Sequence, residues 1–186
     1  MVASRYPKLH KALLFAAEKH YGQDRDGEDP PPYITHPVDV VVCLRYMGGV
    51  TDEDVLCAGA LHDLVEEAGV RPQTILRRFG IRVGQLVLEM TRDEPPASEV
   101  KNLDKDEVWA IRNRMLLDGI RQMSPDAWTI KLADRLSNLR EALVTRTGKK
   151  RERYLSQSRA ILEIIPRHAN PDLWDALDAL LSGQGA

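Results

Sequence analysis

The segment Ala60-Leu61-His62-Asp63-Leu64-Val65-Glu66-Glu67 places an imidazole and three carboxylates inside an otherwise apolar helical pattern. Burying that many ionisable groups is costly unless they are paired or hold a cation. A second apolar segment, Ile130-Lys131-Leu132-Ala133-Asp134-Arg135-Leu136-Ser137-Asn138-Leu139, carries Lys131, Asp134 and Asn138 three and four positions apart. On a helix that spacing makes one polar stripe. A third polar intrusion is His36, in Tyr33-Ile34-Thr35-His36-Pro37. One divalent cation held by His36, His62, Asp63 and Asp134 satisfies all three. Two imidazoles and two carboxylates, with no thiolate, suit Mn²⁺ or Fe²⁺ better than structural Zn²⁺, with Co²⁺, Ni²⁺ or Zn²⁺ as substitutes. Each intrusion also has a blander reading: a satisfied histidine at His36, a hydrogen-bonded core pair at His62–Asp63, an intrahelical charge arrangement at Asp134–Arg135. Jointly these require three buried polar groups with no stated reason.

The elements that must position these groups are helical. Leu9, Ala12, Leu13 and Ala16 form one stripe, and Val38, Val41, Val42 and Arg45 continue that spacing, with Pro37 as a first-turn residue. Thr51 reads as an N-cap followed by the acidic first turn Asp52-Glu53-Asp54. That helix is expected to run unbroken through His62 and Asp63 to about Glu67. Pro72 opens a short helix that Gly80 ends. Val83, Leu86, Val87 and Met90 mark the next, and Asp104–Met123 is a long amphipathic one. Further helices are predicted at Ala127–Leu143, Lys149–Ile165 and Asp172–Leu181. Strand alternation is scarce, and two polar loops, Tyr21–Pro32 and Thr91–Lys105, interrupt the pattern. The expectation is an all-α fold of roughly eight to ten helices in one domain over residues 1–186, with a frayed tail at 182–186.

The chain's 186 residues, 43% of them hydrophobic, are enough for one substantial core. A net charge of −2 argues against a nucleic-acid or membrane-surface binder, so an anionic ligand needs a local basic cluster. Cys43 and Cys57 lie in apolar helical patterns without metal-type spacing and read as buried thiols in a reducing compartment. No secretory h-region and no membrane-length apolar run is visible, so a cytoplasmic location is expected. The oligomeric state is left open.

The ordered series Ala17-Glu18-Lys19-His20-Tyr21-Gly22-Gln23-Asp24-Arg25, Pro32-Tyr33-Ile34-Thr35-His36-Pro37, Ala60-Leu61-His62-Asp63, Phe79-Gly80 and Ile130–Leu139 resembles the HD-domain metal-dependent phosphohydrolases. Within them it resembles the stand-alone (p)ppGpp hydrolases of RelA/SpoT type, including the metazoan SpoT homologue. The resemblance covers most of the chain and implies that His36, His62, Asp63 and Asp134 are the metal ligands. It also implies that Glu66 and Glu67, where the family usually has Glu-Asp, assist the attacking water. Arg25, Asn138 and Tyr154 match positions near the nucleotide, while Lys101 and Lys150, with Lys131, are candidates to meet phosphates. The implied chemistry is metal-assisted loss of the 3′-pyrophosphate from ppGpp or pppGpp, with Glu66 facing the water and Glu67 at the rim of the pocket. At this length no synthetase or regulatory domain is expected. Two rivals stand beside this reading: the same fold acting on another nucleotide, such as NADPH at its 2′-phosphate or a dNTP, and a non-catalytic nucleotide-binding HD domain.

Overall fold

The two apolar segments that carry the ionisable groups become the most deeply buried helices of the protein, and the rest of the chain wraps around them. The computed structural model describes residues 6–183. In chain order the helices are α1 (Pro7–Lys19), α2 (Thr35–Val42, prolonged by a π-helical turn at Cys43–Met47), α3 (Glu53–Leu61), α4 (Leu64–Glu67) and α5 (Pro72–Phe79). There follow α6 (Ile81–Met90), α7 (Ala97–Val100), α8 (Lys105–Gln122), α9 (Pro125–Thr145), α10 (Gly148–Ile164) and α11 (Pro171–Ser182). The fold is all-α; among the described residues the only β-type pairing is an isolated bridge between Asp24 and Pro32. No described helix is long and apolar enough to cross a membrane.

Every residue of α3 from Val55 to Leu61 is buried, as are Ile130 to Ser137 of α9. A helix apolar all round can only be a central one. Accordingly α3 packs on α1, α2, α6 and α9, and α9 in turn on α2, α6, α10 and α11. Gly59 permits the tightest of these approaches, since a Cβ there would lie 2.5 Å from Leu44 Cδ1. Local signals set the helix ends. Pro7, Pro72, Pro125 and Pro171 occupy first turns. Asp104 and Glu107 form a reciprocal capping box on α8, and Ser124 and Asn170 cap α9 and α11. Gly80, with φ +97°, makes the turn between α5 and α6 that other residues resist.

Three local expectations are corrected. The cap of α3 is Asp52 rather than Thr51: its extended backbone lets its carboxylate accept the Asp54 N–H at 2.9 Å. The helix predicted to run unbroken to Glu67 stops at Leu61 and resumes at Leu64. The Gly59 carbonyl, which would bond the Asp63 N–H in a continuous helix, accepts instead from His62 Nδ1 at 2.9 Å. The His62-Asp63 pair therefore sits on a corner. Within the loop expected at 91–105, Ala97–Val100 forms a helical turn. Of the tail expected to fray, Ser182 closes α11 and Gly183 caps it, while residues 184–186 lie outside the described residues. Cys43 and Cys57 are buried free thiols.

Candidate active site

Where α2, the α3–α4 corner and α9 meet, His36 Nε2, His62 Nε2 and Asp134 Oδ1 face one another. The two nitrogens are 3.3 Å apart, and the carboxylate oxygen lies 3.4 Å from His36 Nε2 and 3.6 Å from His62 Nε2. Ligand atoms about 2.1 Å from a shared ion are roughly 3.0 Å apart in an octahedron and roughly 3.4 Å apart in a tetrahedron. The three donors thus have the spacing of one coordination shell, and they form a group able to hold a metal ion. Asp63 lies outside this tight trio, but its Oδ2 is 4.0 Å from His62 Nε2. That oxygen is buried with no hydrogen-bond partner. A buried carboxylate oxygen left bare beside three converging donors is what a cation site requires. The residues present therefore fit a divalent metal.

The far side of each donor is held. His62 Nδ1 donates to the Gly59 carbonyl, which turns Nε2 toward the cluster. His36 Nδ1 is 3.0 Å from Ser137 Oγ. Asp134 Oδ2 accepts from Lys131 Nζ at 2.9 Å, and its Oδ1 accepts from Asn138 Nδ2 at 2.5 Å. Asp63 Oδ1 lies 3.2 Å from His20 Nε2, and the His20 ring stacks on Tyr33. Burial alone would raise the Asp134 carboxyl, but the Lys131 ammonium and the two imidazoles hold it well below the usual range. Asp63 is likewise lowered against its burial, by His62, His20 and His36. Burial opposes charge on His62 too, yet the Asp63 charge and the hydrogen bond to Asp134 raise it to about 9. His36, dominated by burial, is lowered. The cluster therefore keeps both carboxylates ionised and shares its positive charge unequally between the rings.

The cluster forms the floor of a cleft of about 530 Å³. Glu66 and Glu67 line it on α4. Both Glu66 oxygens are occupied by Arg92, whose backbone N–H donates at 2.5 Å and whose Nε donates at 2.9 Å. Glu67 is more open, with 45% of its side chain exposed against 17% for Glu66. Arg25 sits on the Tyr21–Pro32 loop, which is pinned by Arg25 N–H to Pro31 O and Tyr33 N–H to Gln23 O. Its guanidinium donates to Asn138 Oδ1 at 2.9 Å and pairs with Glu141. Lys131, Asn138 and Tyr154 also line this cleft, and Lys150 lines an adjoining one. Lys101 lines neither: it follows the α7 turn on the exposed surface.

Several residues of this site escaped the sequence reading. Arg92 is the first residue past the C-cap of α6, and no local pattern links it to Glu66, 26 positions earlier. His20 stood inside a quoted motif without a role, yet it orients Asp63. Trp109, Arg112 and Arg146 line the cleft from α8 and the α9–α10 junction.

Comparison with known proteins returns the same architecture. The HD domain family model matches residues 12–163. A Drosophila melanogaster protein named guanosine-3′,5′-bis(diphosphate) 3′-pyrophosphohydrolase MESH1 is 34% identical over 186 residues, covering 97% of each chain. The Homo sapiens protein of that name is 38% identical over 140 residues, 75% of this chain and 72% of its own. A solved structure, described as a metazoan ortholog of SpoT that hydrolyses ppGpp and plays a role in starvation responses, superposes with a TM-score of 0.83 at 32% identity, covering 96% of each chain.

Proposed function

We infer that this chain, which belongs to the HD-domain family, is a metal-dependent phosphohydrolase that removes the 3′-pyrophosphate from guanosine-3′,5′-bis(diphosphate), leaving GDP and pyrophosphate. The observation that carries the reading is the convergence of His36, His62 and Asp134 beside the bare Asp63 Oδ2 at the floor of a cleft with arginines in its walls. The substrate is taken from the full-length relatives, and residues 1–186 are read as one hydrolase domain.

We assign the ion to His36, His62, Asp63 and Asp134 and favour Mn²⁺, because two imidazoles with two carboxylates and no thiolate suit it. When bound, such an ion acidifies a water and polarises a phosphoryl oxygen. The remaining work falls to the chain. Gly59 and Ser137 hold the two imidazoles in register, and His20 aims Asp63. Arg92 fixes the rotamer of Glu66; the carboxylate retains free lone pairs and can take the proton of the attacking water at Oε1 or Oε2. Glu67, at the rim, is placed to accept a substrate hydroxyl. Arg25, preset by Asn138 and Glu141, offsets the charge of the pyrophosphate.

The test is product analysis over a panel of ppGpp, pppGpp, NADPH and dNTPs with and without Mn²⁺. Release of pyrophosphate from ppGpp, dependent on the metal, is expected. Turnover of another nucleotide alone would move the substrate elsewhere within the family, and tight binding without turnover would make the domain a sensor.

A further inference from the structure

We propose that the outward face of α2 and its π turn is a surface on which two copies of this chain pair, antiparallel and about a twofold axis at the level of Val42. The residues this segment turns fully to solvent are Thr35, Val38, Val42 and Tyr46. Val38, Val42 and Tyr46 are 44%, 43% and 79% exposed, and no charged side chain interrupts their stripe. Four residues overshoot a turn of 3.6, and the wider π turn at Cys43–Met47 reduces that overshoot, so Tyr46 stays in line with Val42. The other faces of the segment pack on α1, α3, α9 and α11. A solvent-facing side of a helix ordinarily carries polar residues, and an apolar stripe there marks a contact surface. None of the four residues lines either cleft, so the surface suits another helix and not a small molecule.

The placement of charge selects the occupant. Asp39 and Arg45 flank the stripe at equal distances before and after Val42, as Val38 and Tyr46 do one residue further out. In an antiparallel pair centred on Val42, residues equally far on either side of it lie at one level. Val38 then packs beside the partner's Tyr46, Val42 meets its own copy, and Asp39 is level with the partner's Arg45. The long arginine side chain can cross the apolar seam to that carboxylate. A parallel pair would instead set Asp39 against Asp39 and Arg45 against Arg45. Opposite charges disposed evenly about one residue are what an isologous interface needs, whereas a foreign partner imposes no such symmetry. Both charges are available. Arg45 has no acidic partner among the described residues, and its guanidinium lies 5.6 Å from the centroid of its neighbour Tyr46. Asp39 faces Arg140 at 3.9 Å, beyond hydrogen-bond reach. A seam of three apolar side chains is smaller than a standard interface, so pairing is weak, with Kd roughly 10–100 µM.

Sedimentation velocity of the whole chain, from about 1 µM to about 500 µM, reads the pairing. The parent is expected to pass from monomer to dimer in that range; a parent that stays monomeric throughout overturns the proposal. Val42→Glu sets two carboxylates against each other at the axis and is expected to weaken association by roughly 100-fold or more. The position is exposed, so folding is little affected. A dimer that survives Val42→Glu forms through another face and overturns the proposal. Asp39→Arg and Arg45→Asp each leave like charges on both flanks of a copy, and each is expected to weaken self-association roughly ten-fold. Mixed in equal amounts, the two single variants regain opposite charges at both contacts, so a heterodimer of about parental affinity is expected. A mixture that associates no better than its components refutes the antiparallel pairing.

Discussion

Replacing Lys131 by Met should unmask the electrostatics of the cluster. Lys131 Nζ lies 2.9 Å from Asp134 Oδ2, and the two side chains are only 7% and 10% exposed. At an effective dielectric of about 20, that separation corresponds to about 6 kcal/mol of gross attraction. Methionine keeps the length of the side chain and recovers the cost of burying an ammonium, so the net loss is smaller, about 3 kcal/mol, the scale of breaking a buried pair. For a chain of this size each kcal/mol moves Tm by roughly 2–4 °C, which gives a fall of roughly 6–12 °C in the metal-free protein. A divalent ion at His36, His62 and Asp134 would take over as the counter-charge of Asp134. Saturating Mn²⁺ should therefore recover more than half of the deficit, and the Mn²⁺-induced rise in Tm should be larger in Lys131→Met than in the parent. The assay is thermal unfolding in EDTA and in a Mn²⁺ series. An equal Tm deficit with and without the ion would refute the reasoning, as would no deficit in EDTA, because either result would mean that Lys131 and the metal do not answer the same charge.

Other outcomes follow from the same geometry. Glu66→Gln should lower turnover by roughly 10²-fold or more while keeping the Mn²⁺-induced rise in Tm; parent-like kinetics would pass the proton-transfer role to Glu67. Arg92→Gln should cut kcat by roughly ten-fold by freeing the Glu66 rotamer, with Mn²⁺ affinity measured by calorimetry within about two-fold of the parent; a matching loss of metal affinity would show that Arg92 supports the cluster instead. Gly84→Ala should cost about 1–3 kcal/mol in urea unfolding, since its Cβ would meet Leu76 Cδ2 at 2.5 Å and the Leu76 Cα at 3.2 Å, with no escape through side-chain rotation alone. Burial pushes the Cys57 thiol up to about 12 and raises that of Cys43, so neither should react with a thiol reagent at pH 8 until the protein is unfolded; rapid labelling of the native protein would contradict the packing of α2 and α3.

The helices, and the suspicion of a metal, were legible along the chain because both are local properties. Apolar residues at helical period identify α3 and α9 wherever they end up, and a His-Asp pair or a Lys131–Asp134–Asn138 stripe in such a segment is anomalous before any partner is known. The turns marked by Pro72 and Gly80 were equally local. What the tertiary structure decided depends on how distant helices cross. The break at His62 arises from a side chain taking a backbone carbonyl, a choice that periodicity does not encode. Arg92 reaches Glu66 over 26 positions, His20 reaches Asp63 over 43 and Arg25 reaches Asn138 over 113. Such pairs have no signature in spacing, since a hydrogen bond is set by where two atoms stop in space. For the same reason Lys101 and Lys150, alike as candidates to meet phosphates in the sequence, part company in the fold. One follows the α7 turn outside both cavities, and the other lines the adjoining cleft because α10 packs against α8.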